Sequence, residues 1–210
     1  MVIDCFTTGP FETNVYVLGC DKTKEAAIVD PSFDSLPLIA ASLKKHSLIP
    51  KKILLTHSHI DHIADAARVK ETYHIPLYVH LLDEPNLISP GSDGLPLFFP
   101  VRGTRPTGYL AEGDIVEVGT MKAKVIHTPG HTPGGVCFYF PDEGILISGD
   151  TLFQGTIGNL SFPTAEPEKM WNSLRKLANL PSTTRVYPGH GPSTTIGDED
   201  WLERAEQLFG

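Results

Sequence analysis

Ile53-Leu54-Leu55-Thr56-His57-Ser58-His59-Ile60-Asp61-His62 is the stretch on which the fold turns. A short apolar run, bounded and of strand length, leads straight into four groups able to bind a transition metal within six positions. Neutral imidazole nitrogen and carboxylate oxygen are the donors that Zn²⁺ takes when thiolates are absent, at roughly 2.0–2.2 Å. One ion does not easily use all four. Alternate residues of an extended segment point the same way, so His57 and His59 can share a metal, whereas Asp61 and His62 face another direction as the chain turns. The spacing therefore suggests two adjacent metals at the C-terminal end of a strand.

Working outward, the first third reads as strands separated by turns: Val2-Ile3 onward, Asn14 to Leu18, and Ala26 to Val29 ending at Asp30-Pro31. A helix follows, with Ser32 or Asp34 as cap, Pro37 in its first turn, and Leu36, Ile39 and Leu43 as an apolar stripe. The strand Lys52 to Leu55 comes next, and a helix is expected from Asp61 to about Tyr73 with Ile63, Ala66, Ala67 and Lys70 on one face. The second half repeats this grammar. Strands are expected over Ile115 to Val118, Met121 to His127, Val136 to Phe140 and Gly144 to Ile147, the last ending at Gly149-Asp150. A helix from Pro167 carries Met170, Trp171, Leu174 and Leu177 on one face, before a short strand Arg185 to Tyr187 and the loop Pro188-Gly189-His190-Gly191. Each half thus runs strand, Asp-bearing turn, helix, strand, His-bearing loop. The parallel implies two related α/β halves facing each other across one site, within a single domain spanning residues 1–210.

Between the halves, Ser89 to Tyr109 holds four prolines and four glycines. Irregular backbone is expected there. Leu95, Leu97, Phe98, Phe99 and Val101 are too apolar for a solvated tail, so the segment is expected to pack near the site.

Composition narrows the function classes. A chain of 210 residues that is 40% apolar can bury a substantial core. The formal charge of −8, with no basic run, argues against a nucleic-acid partner. Three widely spaced cysteines with no C-x-x-C pair signal neither a disulfide framework nor a thiolate metal site, and a reducing cytoplasm fits them best. No stretch approaches the roughly 18–20 apolar residues that span a bilayer, and no signal-peptide pattern opens the chain, so no membrane association is expected.

Three later Gly-rich segments supply further candidates. They are His127-Thr128-Pro129-Gly130-His131-Thr132-Pro133-Gly134, Ser148-Gly149-Asp150-Thr151, and Pro188-Gly189-His190-Gly191. Spacing alone leaves the choice between His127 and His131 open.

Five segments in this order resemble the metallo-β-lactamase-fold hydrolases, and among them the short glyoxalase II-like proteins: Thr56 to His62, His127 to Gly135, Ser148 to Phe153, Gly155 to Gly158, and Pro188 to Pro192. The likeness covers essentially the whole chain. It implies an α/β fold, an αβ/βα four-layer sandwich in which two mixed β-sheets lie face to face with helices outside and a dinuclear site at one edge. It assigns His57, His59 and His131 to one metal, Asp61, His62 and His190 to the other, and Asp150 as a bridge. His127 matches no ligand position and is read as supporting the site. Asp30 matches none either, and is read as ordering a turn or a ligand histidine.

Two divalent metal ions, Zn²⁺ by default with iron or manganese also suited, would lower the pKa of a bridging water toward neutrality, with Asp61 orienting the resulting nucleophile. The implied activity is a thioesterase of the glyoxalase II type, acting on S-lactoylglutathione or a related acyl thioester, a small-molecule substrate. A persulfide dioxygenase with one iron, and a lactonase or β-lactamase with the same nucleophile, are the alternatives. The chain departs from the pattern where substrate is held. The basic residue of the Gly-x-Gly-Arg/Lys element is Asn159, and the basic run near the C-terminus reads Gly197-Asp198-Glu199-Asp200. Arg102 and Arg105, in the Pro/Gly-rich loop, are the expected replacements for gripping an anionic substrate group, with Asn159 beside them.

Overall fold

A computed structural model describes residues 1–210. The chain opens with β1 (Val2–Thr8), β2 (Thr13–Gly19) and β3 (Glu25–Val29), crosses through α1 (Leu36–His46) to β4 (Ile49–Leu54), and passes α2 (Ile60–Ile63) and α3 (Ala66–Tyr73) to β5 (Leu77–His80). After α4 (Glu84–Ile88) and a long irregular segment, β6 (Gly108–Leu110) closes a six-stranded sheet in the order β1-β2-β3-β4-β5-β6. The second sheet is built from β7 (Ile115–Val118), β8 (Met121–His127), β9 (Val136–Phe140), β10 (Ile145–Gly149), β11 (Arg185–Pro188) and β12 (Thr194–Thr195), with α5 (Pro167–Ala178) between β10 and β11. Its order is β12-β11-β10-β9-β8-β7.

Both sheets are mixed. β1, β2 and β3 are antiparallel neighbours, while β3 to β6 run parallel. In the second sheet only β10 and β11 are parallel. The helical crossovers β3-α1-β4 in the first sheet and β10-α5-β11 in the second are the structural form of the repeated grammar in the sequence, since parallel neighbours need a long connection.

Alternation along the strands sorts apolar residues into layers. On β2, Val15 and Val17 pack outward with Ile39 and Leu43 of α1, Ile63 of α2 and Val69 of α3, whereas Tyr16 and Leu18 face inward. Inward residues of the second sheet, among them Val125, Phe138, Phe140 and Ile147, meet Tyr16, Leu18, Val29 and Leu54 in the central core. The opposite face of that sheet, with Ile126, Cys137 and Leu146, packs on Met170, Trp171, Leu174 and Leu177 of α5. Three apolar layers thus separate helix, sheet, sheet and helix. β2 is buried at all seven positions because it is covered on both faces. No helix is long and apolar enough to cross a membrane.

Several boundaries differ from the sequence expectation, each for a tertiary reason. The helix expected from Asp61 to Tyr73 is broken into α2 and α3. At the break the Asp65 backbone N–H donates to the Pro31 carbonyl at 2.9 Å, and its carboxylate turns away to accept from the Leu36 N–H at 3.1 Å. That remote carboxylate serves the N-terminus of α1, where neither Ser32 nor Asp34 acts as cap and the adjacent Ser35 makes no capping bond. β4 starts three residues earlier than expected, at Ile49, through pairing with β3. Residues 108 and 109, expected to be irregular, pair with β5. The last segment is a 3₁₀ turn, Leu202–Arg204, followed by the short α6 (Ala205–Phe209).

Asp65→Ala leaves two donors at the start of α1 without their acceptor, the Leu36 N–H and the Ser35 hydroxyl. The expected cost is about 1 kcal/mol, the usual worth of such a cap, and Asp65→Asn is expected to recover most of it in chemical denaturation.

Candidate metal centre

The four-residue cluster lies where β4 ends and α2 begins, and two buried carboxylates hold the backbone there. Val29 ends β3, and Asp30 takes φ +48°, a left-handed conformation that Asp tolerates. Its carboxylate accepts from the Thr56 N–H (2.8 Å), the Thr56 hydroxyl (2.6 Å) and Nδ1 of His62 (3.0 Å). Asp83 accepts from the Ser58 N–H (2.8 Å), the Thr132 hydroxyl (3.1 Å) and the Gly134 N–H (2.7 Å). It therefore ties the end of β4 to the loop bearing His131. Burial pushes the Asp83 carboxyl up, against those same three donors, which favour its anionic form.

The loop of His190 is held from the other side of the cleft. Asn14 Nδ2 donates to the Pro188 and Gly191 carbonyls, and the Tyr16 hydroxyl donates to Pro188 O at 2.6 Å. Gly189 permits the approach of this loop to β10, because a side chain there would strike the Asp150 carboxylate and the His62 ring.

The structure brings all seven expected residues together. Nitrogen atoms of His57, His59 and His131 lie within 4.8 Å of one another, as do the donor atoms of Asp61, His62 and His190. Asp150 stands between the groups, with Oδ2 3.3 Å from His131 Nε2 and Oδ1 3.4 Å from His62 Nε2. A third close group, Asp30 with His57 and His62, has its carboxylate already engaged by Thr56 and His62. Asp30 is an orienting residue, as its sequence position suggested.

Hydrogen bonds determine which nitrogen each ring presents. His131 Nδ1 donates to the Asn159 carbonyl (2.8 Å), His190 Nδ1 to the Phe11 carbonyl (3.0 Å) and His62 Nδ1 to Asp30. The Thr56 hydroxyl gives its proton to Asp30, so it accepts from His57 Nδ1 at 3.0 Å. With Nδ1 held as the donor in all four rings, it is Nε2 that each presents to the site, with a bare lone pair once the ring is neutral. Those lone pairs converge. Nε2 of His57, His59 and His131, and Oδ1 of Asp150, are buried with no hydrogen-bond partner, while Nε2 of His62 and His190 face one another at 3.3 Å.

Buried acceptors without donors are costly, and a cation is the partner that satisfies several at once. The donor set, imidazole nitrogens oriented by backbone and carboxylate acceptors, fits a divalent transition metal. Burial, reinforced by the neighbouring histidines, holds His57 and His59 well below the ordinary imidazole range, in the neutral form that ligation requires. At His62 burial acts the same way, but Asp61, Asp150 and Asp30 outweigh it and bring the pKa up to about 10. The carboxylates make this a place for positive charge, whether a proton or a metal ion supplies it. Burial also disfavours the Asp61 anion. His62, His190 and the Thr13 hydroxyl, which donates to Asp61 Oδ2 at 2.6 Å, overcome it and hold that carboxyl below its usual range.

Above these groups opens a cleft of about 420 Å³, lined by His59, Asp61, His131, Asp150, Asn159 and His190 and by the apolar Phe11, Ile60, Leu95, Pro96, Phe98, Phe153 and Phe162. The loop segment expected to pack near the site contributes Leu95, Pro96 and Phe98. Asn159 also lines the cleft. Arg102 and Arg105 do not. Arg102 is turned out to Glu71, 2.7 Å away on the exposed face of α3, and Arg105 is exposed, its carbonyl bonded by Lys70. The loop carries both arginines past the cleft before it joins β6, so neither lines the space expected to hold the substrate. Asp83, Phe11, Phe153 and Phe162 belong to the site but were not singled out in the sequence. Their partners lie far away along the chain, and only the conspicuous Ser58-His59 and Gly134 motifs hinted that something must hold those turns.

Comparison with known proteins agrees with this architecture. Residues 8–190 match the family model of the metallo-beta-lactamase superfamily. The chain is 36% identical over 191 residues to the probable metallo-hydrolase YqgX of Bacillus subtilis, covering 90% of this chain and 89% of that protein. It is 31% identical over 208 residues to hydroxyacylglutathione hydrolase GloC of Haemophilus influenzae, covering 95% of each. Among solved structures it superimposes on BLEG-1 B3 metallo-beta-lactamase with a TM-score of 0.88 at 38% identity over the full length of both chains. TTHA1623, solved in a di-iron-bound form, gives a TM-score of 0.78 at 38% identity over 93% of this chain and 96% of the other.

Proposed function

We propose that this chain, which belongs to the metallo-beta-lactamase superfamily and has the metallo-hydrolase site of that superfamily, hydrolyses acyl thioesters with two divalent ions held by seven side chains. The observation that carries the reading is the convergence of the partnerless Nε2 atoms of His57, His59 and His131 on one point and of Asp61, His62 and His190 on a second beside it, with Asp150 between them. His57, His59 and His131 would hold one ion, Asp61, His62 and His190 the other, and Asp150 both. Such a pair supplies an acidified water as nucleophile at neutral pH and a Lewis acid for the substrate carbonyl.

The remaining work falls to this chain's own groups. Thr13 occupies one oxygen of Asp61 and fixes its plane, so the other oxygen is available to accept a hydrogen bond from the attacking water. Because His62, His190 and Thr13 favour the Asp61 anion despite burial, Asp61 orients that water rather than retaining its proton. Asn159 and the phenylalanines form the walls of the cleft beside the reacting carbonyl. No lysine, tyrosine or cysteine lines the cleft to protonate a leaving group. That suits a thiolate, which leaves near neutral pH without help, better than an amine or alkoxide. The similarity to GloC supports the thioester reading.

Zinc, iron and manganese all suit the donor set, and the di-iron form of TTHA1623 makes iron a candidate beside zinc. The test is a hydrolysis panel of thioesters, lactones and β-lactams with protein loaded with zinc or iron. Thioesters are expected to be cleaved fastest. Oxygen uptake on glutathione persulfide by protein holding one iron, with no thioester cleavage, would replace this reading with that of a dioxygenase.

A further inference from the structure

We propose that the substrate of this site is an uncharged thioester with an extended apolar acyl group, rather than an anionic glutathione conjugate. The inference rests on the thioesterase reading for the reaction and on the cleft walls for the substrate. Water's oxygen bonds to the acyl carbon as the carbon–sulfur bond breaks. One water hydrogen stays with the carboxylic acid formed, and the other goes to the departing sulfur as the thiol.

Three observations point to the substrate. First, six apolar side chains from four segments, Phe11, Leu95, Pro96, Phe98, Phe153 and Phe162, surround the space beside the ligand residues. Second, no lysine or arginine lines that space. Its fully charged groups are the acidic Asp61 and Asp150, in a chain of net charge −8. A glutathione conjugate carries two carboxylates, and anchoring them in a partly dry cleft calls for cations or bidentate donors. Arg102, the cation nearest in the loop sequence to Phe98 and Phe99, is engaged by Glu71 instead. Third, the apolar wall continues outward. Phe98 and Phe11, both lining the cleft, are 68% and 41% exposed. Exposed aromatic side chains contiguous with a reactive cleft mark a surface that an apolar ligand covers. Their exposure is unfavourable unless something of like character lies against them.

The test uses matched pairs. N-acetylcysteamine thioesters, whose thiol portion is uncharged, are compared with glutathione thioesters bearing the same acetyl, butanoyl, hexanoyl or phenylacetyl group. Within the neutral series kcat/KM is expected to rise severalfold per methylene buried, up to about fourfold each, reaching tenfold or more from acetyl to hexanoyl. Phe98→Ser, at an exposed position that leaves the core untouched, is expected to reduce the hexanoyl-to-acetyl ratio by about tenfold. Asn159→Arg, which adds a cation to the wall, is expected to move preference severalfold toward the glutathione thioester. Binding is measured separately by calorimetry with two non-hydrolysable thioethers, S-hexyl-N-acetylcysteamine and S-hexylglutathione, the neutral one being expected to bind at least as tightly. A flat acyl series, or a glutathione compound cleaved or bound tenfold better than its neutral partner, overturns the inference while leaving a thioesterase. Tighter binding of the neutral thioether with no thioester cleaved would sustain the inference about the cleft and overturn the proposed reaction.

Discussion

His131→Ala is expected to abolish thioester hydrolysis, by about 10³-fold or more, since a dinuclear site that loses a ligand loses both its nucleophile and its electrophile. His131 is the only member of the first group that does not come from the end of β4. Its Nε2 has no protein hydrogen-bond partner, so the alanine variant removes a metal donor at the cost of one hydrogen bond, from Nδ1 to the Asn159 carbonyl. Thermal stability of the metal-free variant should therefore remain near that of the metal-free parent, while its bound metal falls toward one ion per chain. Steady-state kinetics alongside elemental analysis checks both parts. Hydrolysis within tenfold of the parent would sink the proposed chemistry.

Asp30→Ala is expected to produce the second large effect, through position rather than ligation. Asp30 is 1% exposed, and its two oxygens satisfy the Thr56 N–H, the Thr56 hydroxyl and His62 Nδ1. Alanine leaves three buried donors with nothing to accept them, a loss of about 3–5 kcal/mol by analogy with breaking a buried charged partner. For a chain of this size that lowers the melting temperature by roughly 10 °C. His62 also loses the acceptor that sets its tautomer, and Thr56 its hold on His57, so metal affinity is expected to fall by about 10–100-fold. Asp30→Asn keeps one acceptor oxygen and is expected to restore part of the stability but less of the affinity. A metal-free Asp30→Ala protein that melts within a degree or two of the parent would show that the carboxylate does not organise the centre.

The sequence made parts of this centre readable and hid others, for identifiable reasons. The end of β4 was legible because four donors crowd six positions, and the loops of His131, Asp150 and His190 were legible because each pairs a donor with glycines at a strand end. The layer structure was legible too. Val15, Tyr16, Val17 and Leu18 alternate between two cores, so a continuous apolar run was the signature of a strand covered on both sides. What stayed hidden depends on side chains reaching between segments far apart in the chain. Asp83 looks like one more helix-start acid, yet it joins Ser58, Thr132 and Gly134, which lie 25 to 51 residues away. The break between α2 and α3 follows from Pro31 and Leu36 claiming Asp65, which no local periodicity records. Arg102 and Arg105 were drawn to the substrate by loop membership alone, and Glu71 on α3 claims the first of them.

Metal stoichiometry measures the account's central claim most directly. Protein reconstituted with excess zinc, and separately with iron under anaerobic conditions, is dialysed to remove loosely held ions and assayed for metal by elemental analysis against protein mass. Two ions per chain are expected for the parent with at least one of the metals, falling toward one in His131→Ala. A parent that saturates at one ion with both, or retains none, would contradict a dinuclear centre built on His57, His59, Asp61, His62, His131, Asp150 and His190.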